Sequence, residues 1–125
     1  MKLGIAYLAA FATLTILDAL WLGIVSRSFV QSEIGHLFGD RIIWWAAALF
    51  YILYAGAIVY FAVSTSSTLG GALARGAALG FVAYMTYDLT NLATLRDWPV
   101  LFVCVDVAWG TFATAIAALV AFALL

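Results

Sequence analysis

The chain has 125 residues, of which 68% are hydrophobic and 9% charged, with a net charge of −1 and a mean hydropathy of +1.18. Soluble domains are roughly half apolar, so this composition leaves too little polar surface for a water-soluble globule and points to one integral membrane domain. No basic run supports a nucleic-acid partner, and the single cysteine, Cys104 between two valines, reads as filler rather than as a disulfide or zinc ligand.

A membrane-crossing helix needs about 20 apolar residues at a rise of 1.5 Å. Four runs meet that length: residues 4–25, 42–63, 74–95 and 99–125. Each is expected to be helical, because lipid cannot satisfy an open sheet edge and four spans do not close a barrel. The first run follows Lys2 in the manner of a signal peptide. It is too long for a signal core, carries Asp18 and lacks a small-x-small site after it, so a retained span is expected.

Residues 26–40 are polar but place Val30, Ile34, Leu37 and Phe38 at helical spacing, which predicts a short amphipathic helix on the interface. Asp40 is positioned to cap the second span, with Trp44 and Trp45 in the aromatic belt. The Ser/Thr/Gly stretch 64–71 predicts a flexible turn. Asp97, Trp98 and Pro99 read as a cap, an interface anchor and a helix-starting proline that close a tight last hairpin.

Short connections between four helices predict an all-α membrane fold, an up-down-up-down antiparallel four-helix bundle with both termini on one side. Lys2 and Arg75 face Arg27, Arg41 and Arg96 across the membrane, a bias too even to set orientation. Ala72, Gly76 and Gly80 recur every four residues on the third span. Small residues at that spacing let helices approach closely, within the chain first and as a homodimer seam second.

Three carboxylates lie inside these apolar runs. Asp18 precedes Arg27 by nine residues, Asp88 precedes Arg96 by eight, and Asp106 follows Trp98 by eight. All three therefore lie about 12–14 Å below one surface, near the middle of a core about 30 Å thick. The second span offers Tyr51 at the same level, with Tyr54 one turn deeper. Tyr84, Tyr87, Asp88 and Asn91 fall on one helical face, Thr15 pairs with Asp18 at i, i+3, and Asp18/Trp21 and Asp106/Trp109 repeat an Asp-x-x-Trp spacing. These ten residues besides Thr15 form the candidate ligand-binding and proton-handling site, with no catalytic role assigned to any of them.

A central Asp costs about 2.5–3.5 kcal/mol on insertion scales, so three unpaired ones cost on the order of 8–10 kcal/mol. No Lys, Arg or His lies at that depth, since His36 is in a loop and Arg75 is near the opposite surface. Either some of the carboxyls hold protons, or a cation (H⁺, a metal ion or a cationic ligand) sits among them. The bland alternative is that Asp, Tyr and Trp only fix helix register. Metal-ligand spacing is absent, and three Asp with an Asn suit at most a hard cation. The tyrosines and tryptophans serve as packing residues or as proton donors to the carboxylates.

The blocks Asp18-Ala19-Leu20-Trp21-Leu22-Gly23, Phe50 to Tyr54, Gly80 to Thr94 with its Tyr-Asp-Leu-Thr-Asn-Leu-Ala-Thr string, and Asp106-Val107-Ala108-Trp109-Gly110 resemble a bacterial family of small predicted inner-membrane proteins of unassigned function, domain of unknown function 2177. The resemblance runs in order through nearly the whole chain; residues 26–40 match least. It implies a multi-pass protein of the bacterial inner membrane whose signature is the three Asp motifs. The family's association with genes for fatty-acid modification implies a lipid-like ligand, by analogy only.

Three functions follow from these residues. The leading one is a protein whose Asp18, Asp88 and Asp106 cluster binds or protonates a lipid-soluble small molecule, with Tyr51, Tyr87 or Asn91 orienting it. The second is a dimeric proton-coupled transporter of small cationic compounds, although that family's sequence motif is absent. The third is a structural or assembly subunit in which the Asp cluster is glue. No cofactor is assigned.

Overall fold

The computed structural model describes residues 2–125, all helix and turn with no strand among them. Five α-helices follow in order: α1 Lys2–Leu20, α2 Arg27–Ile34, α3 Trp44–Ile58, α4 Leu69–Thr94 and α5 Val100–Ala123. Single π-helical turns, Trp21–Val25 and Val59–Val63, extend α1 and α3. Counting these turns, three helices among the described residues are long and apolar enough to cross a membrane: Lys2–Val25, Trp44–Val63 and Val100–Ala123. Helix α4, at 26 residues, is about 39 Å long but is not among those three.

The first π turn ends where Ser26 donates from both its amide (2.7 Å) and its hydroxyl (2.8 Å) to the Trp21 carbonyl. That buried serine satisfies a carbonyl the widened turn leaves open, and the chain can then bend into α2. Helix α2 is amphipathic as expected, but it ends at Ile34, and residues Gly35–Leu37 continue as a 3₁₀ turn. Val30 and Ile34 are buried, whereas Leu37 and Phe38 are exposed.

Three local expectations need correction. Helix α3 starts at Trp44 behind Ile43 with no side-chain cap, and Asp40 is an exposed bend residue. Helix α5 starts behind Pro99, again without a side-chain cap, and Asp97 serves the hairpin instead through a left-handed φ of 64°. Asp adopts that conformation more readily than most residues. Trp98 is buried beneath Phe102 and Tyr87 and is no interface anchor. The stretch 64–71 turns over residues 64–68, and the Thr68 hydroxyl accepts from the Gly71 amide at 2.9 Å and caps α4 at Leu69. Trp44 and Trp45 do point outward.

The largest core cluster joins Ala6, Ala10 and Leu14 of α1 to Tyr54, Ala55 and Ile58 of α3 and to Ala113, Ala117 and Ala121 of α5. Alanines every four residues give smooth faces that pack closely where lipid offers no hydrophobic drive. A second cluster seats Val30 and Ile34 of α2 on Phe102, Val103 and Val107 at the start of α5. Large apolar side chains such as Leu8, Ile16, Leu53, Val82 and Leu101 stay exposed, as a lipid-facing surface requires.

Helices α4 and α5 pack antiparallel along a glycine seam. A Cβ placed on Gly76 meets Ala118 Cβ at 2.7 Å and the Thr114 carbonyl at 3.0 Å, and one placed on Gly80 collides with the Gly110 carbonyl and Thr114. The Ala72, Gly76 and Gly80 stripe is therefore buried inside the chain. Gly80→Ala is expected to lower unfolding stability by about 1–3 kcal/mol through overpacking. Gly70→Ala, with nothing described within 4 Å of its Cβ, should leave stability unchanged or raise it. Denaturant unfolding in mixed micelles, followed by circular dichroism, separates the two; equal behaviour would refute the seam.

Candidate functional site

Asp18, buried in the last full turn of α1, is where three helices meet. From α3 the Tyr51 hydroxyl donates to its Oδ2 at 2.6 Å, and from α5 the Trp109 indole Nε1 donates to its Oδ1 at 2.9 Å. A hydrogen bond to a charged group contributes about 1.5–3 kcal/mol, so two of them offset the insertion cost of one central carboxylate. The repeated Asp-x-x-Trp spacing thus works across helices. Asp18 takes the Trp of the other motif, and the two rings, Trp21 and Trp109, stack in parallel with centroids 4.5 Å apart and planes 4° apart.

Asp88 is treated differently. It is fully buried in α4, and among the described residues neither of its oxygens has a hydrogen-bond partner. The polar groups facing it are the Asp106 carboxyl and the Trp98 indole, whose Nε1 is likewise buried and unpaired. Asp88 therefore sits behind Asp106, between α4 and α5.

In front of that pair lies a cavity of about 510 Å³. Its polar wall is formed by Asp18, Asp106 and the side chains of Tyr51, Tyr54, Tyr84 and Tyr87. The stacked Trp21 and Trp109, together with Phe50 and Phe102, add aromatic lining, and Val30, Ile34 and Phe38 bring α2 and the segment after it into the wall. Tyr84 reaches the wall because Gly110 has no side chain; a Cβ there would fall inside the Tyr84 ring. Tyr54 is held by Thr114, hydroxyl to hydroxyl at 2.8 Å, and stacks on Phe50 at 5.2 Å.

Eight of the ten residues singled out from the sequence therefore line one cavity: Asp18, Trp21, Tyr51, Tyr54, Tyr84, Tyr87, Asp106 and Trp109. Two do not. Asp88 lies behind the wall, and Asn91, a turn further on, borders an adjoining depression with Leu95 and Arg96 that shares Ile34, Phe38 and Tyr87 with the cavity. The face of α4 divides because helix α5 covers Asp88 while Tyr87 remains exposed. Thr15 is half-buried and its hydroxyl has no partner among the described residues.

Sequence reasoning did not place Thr114, Gly110, Trp98 or the α2 side chains at the site; Trp98 and the apolar residues of α2 were assigned to the interface instead. Gly110, directly after Trp109, was the readable signal, since a glycine amid bulky residues marks close approach. Among the described residues no group of three or more His, Cys, Asp or Glu is arranged to hold a metal ion.

Tyr51→Phe and Trp109→Phe are each expected to lower unfolding stability by about 1.5–3 kcal/mol. In an Asp18→Ala background the same changes should cost much less, read as a double-mutant cycle. Equal losses in both backgrounds would mean that these donors stabilise the fold by packing and not through the carboxylate.

Neither curated proteins nor solved structures yield a match to this chain. Residues 3–123 do match the family described as predicted membrane protein (DUF2177), and with nearly the whole chain covered, this protein belongs to that family.

Proposed function

We propose that this is a four-span membrane protein that takes a lipid-soluble molecule from the bilayer into the cavity, with the molecule's polar head against Asp18 and Asp106. The observation that carries this reading is the cavity itself. Its volume of about 510 Å³ falls in the range of roughly 300–1,000 Å³ usual for small-molecule sites. Carboxylates that served only to fix helix register are best packed solid, because an open void beside a buried polar cluster forfeits contacts.

The fourth span is α4. Its length of about 39 Å exceeds the hydrocarbon thickness, and its glycine seam follows α5 from Gly76 to Gly80. Side-specific labelling of single cysteines in a Cys104→Ser background tests the topology. Ser67→Cys and Asp97→Cys are expected to label from opposite sides of the membrane. Labelling from the same side overturns the fourth span.

Occupancy is tested by native mass spectrometry of protein released from its own membrane. One small-molecule adduct is expected on the wild type and none on Ala83→Phe, which places a ring in the cavity from a wall position. An adduct that survives in Ala83→Phe, or none on the wild type, counts against the reading.

Asp88 favours proton exchange with the bound molecule as a second element of the function. Two carboxyls side by side in apolar surroundings share a proton more readily than they carry two negative charges. Asp106 is then the group that passes that proton across the cavity wall, with Asp88 behind it. Infrared difference spectroscopy should detect a protonated-carboxyl band that disappears in Asp88→Asn. A spectrum with only ionised carboxylates near neutral pH rules out the exchange.

A further inference from the structure

We infer that the molecule this cavity accepts is a lipophilic cation, an alkylammonium or quaternary ammonium head on an apolar chain, and not a fatty acid or a phosphate ester. The inference rests on the reading that the cavity binds a lipid-soluble molecule, and it names the charge of that molecule's head.

The charge balance of the wall comes first. Asp18 and Asp106 both reach the cavity, and none of the described residues lining it is Lys, Arg or His. Arg27 and Arg75 are exposed at the helix surfaces. Asp18 accepts one hydrogen bond on each oxygen, both from uncharged donors, the Tyr51 hydroxyl and the Trp109 indole. These hydrogen bonds hold the carboxylate in place but bring no positive charge, and none of the described residues lining the cavity supplies one, so the wall presents acidic groups with no basic counterpart.

The aromatic lining then decides which kind of cation fits. A small hard ion requires several oxygen ligands at short range, and among the described residues no group of three or more His, Cys, Asp or Glu is placed to supply them. An ammonium carrying alkyl groups is weakly hydrated and is attracted to ring faces. Trp21, Phe50, Tyr51, Tyr84, Phe102 and Trp109 line the same cavity as Asp18 and Asp106. The remaining wall, Val30, Ile34 and Phe38 from α2 and its continuation, is apolar and suits a hydrocarbon chain. An anionic head meets the opposite conditions: like charge on the wall and no cationic side chain to pair with.

The test compares three amphiphiles with one twelve-carbon chain: dodecyltrimethylammonium, dodecanol and dodecanoate. Binding to the full-length protein in zwitterionic nanodiscs is read from tryptophan emission, with empty nanodiscs subtracted. On the wild type the ammonium should bind at least tenfold more tightly than the alcohol, and the carboxylate more weakly than either. Asp18→Asn keeps one oxygen to accept from the Trp109 indole, offers its amide nitrogen as a donor to the Tyr51 hydroxyl oxygen, and removes the charge. It should bring the ammonium down to the level of the alcohol while alcohol binding persists, which also reports that the variant is folded. An alcohol as tight as the ammonium on the wild type, or an ammonium preference undiminished in Asp18→Asn, overturns the cationic ligand and leaves the cavity reading standing. Failure of all three to bind overturns both.

Discussion

A carboxylate in an apolar core must be answered from its surroundings, and the way Asp18 is answered organises this molecule. Its two oxygens take one donor from α3 and one from α5, Tyr51 and Trp109. A single side chain on α1 therefore ties three helices at one depth. The tie also orients what stands around it. Trp109 is turned so that Trp21 lies flat upon it, and Tyr51 is drawn to the wall shared with Phe50 and Tyr54.

The second constraint is the absence of side chains along the α4–α5 seam. Gly76 and Gly80 bring the two backbones together, and Gly110 leaves the room that the Tyr84 ring occupies. Close approach on this side covers Asp88 and leaves it without a hydrogen-bonding partner among the described residues. Beside this seam the rings of Trp21, Phe50, Tyr51, Tyr54 and Trp109 line a cavity, and the buried Val30 and Ile34 of α2 form part of its wall.

The local signals that failed were cap assignments. Asp40 and Asp97 have the chemistry of helix caps, but Ile43 and Pro99 occupy those positions. Capping preference is worth about 1 kcal/mol and yields to the path the chain must take between packed helices. Trp98 failed for a related reason. Its indole suits the interface, yet the tight hairpin folds it under Phe102 and Tyr87. Thr68, whose hydroxyl does cap α4, was hidden within a Ser/Thr/Gly run in which any of several residues had the same chemistry.

Hydropathy alone was enough for the membrane class and for helices over the apolar runs, and counting residues along a helix of fixed rise gave the common level expected for Asp18, Asp88 and Asp106. The 3.6-residue period likewise put Tyr84, Tyr87, Asp88 and Asn91 on one side of α4. Periodicity assigns a face but not the neighbour that covers it. Only the tertiary structure placed Asp88 and Asn91 outside the cavity lining, matched Asp18 to the tryptophan of the other motif and brought Val30 and Ile34 of α2 into the wall. The covering of Asp88 depends on how closely α4 approaches α5, a distance set by the pairing of Gly76, Gly80 and Gly110 with residues remote in sequence.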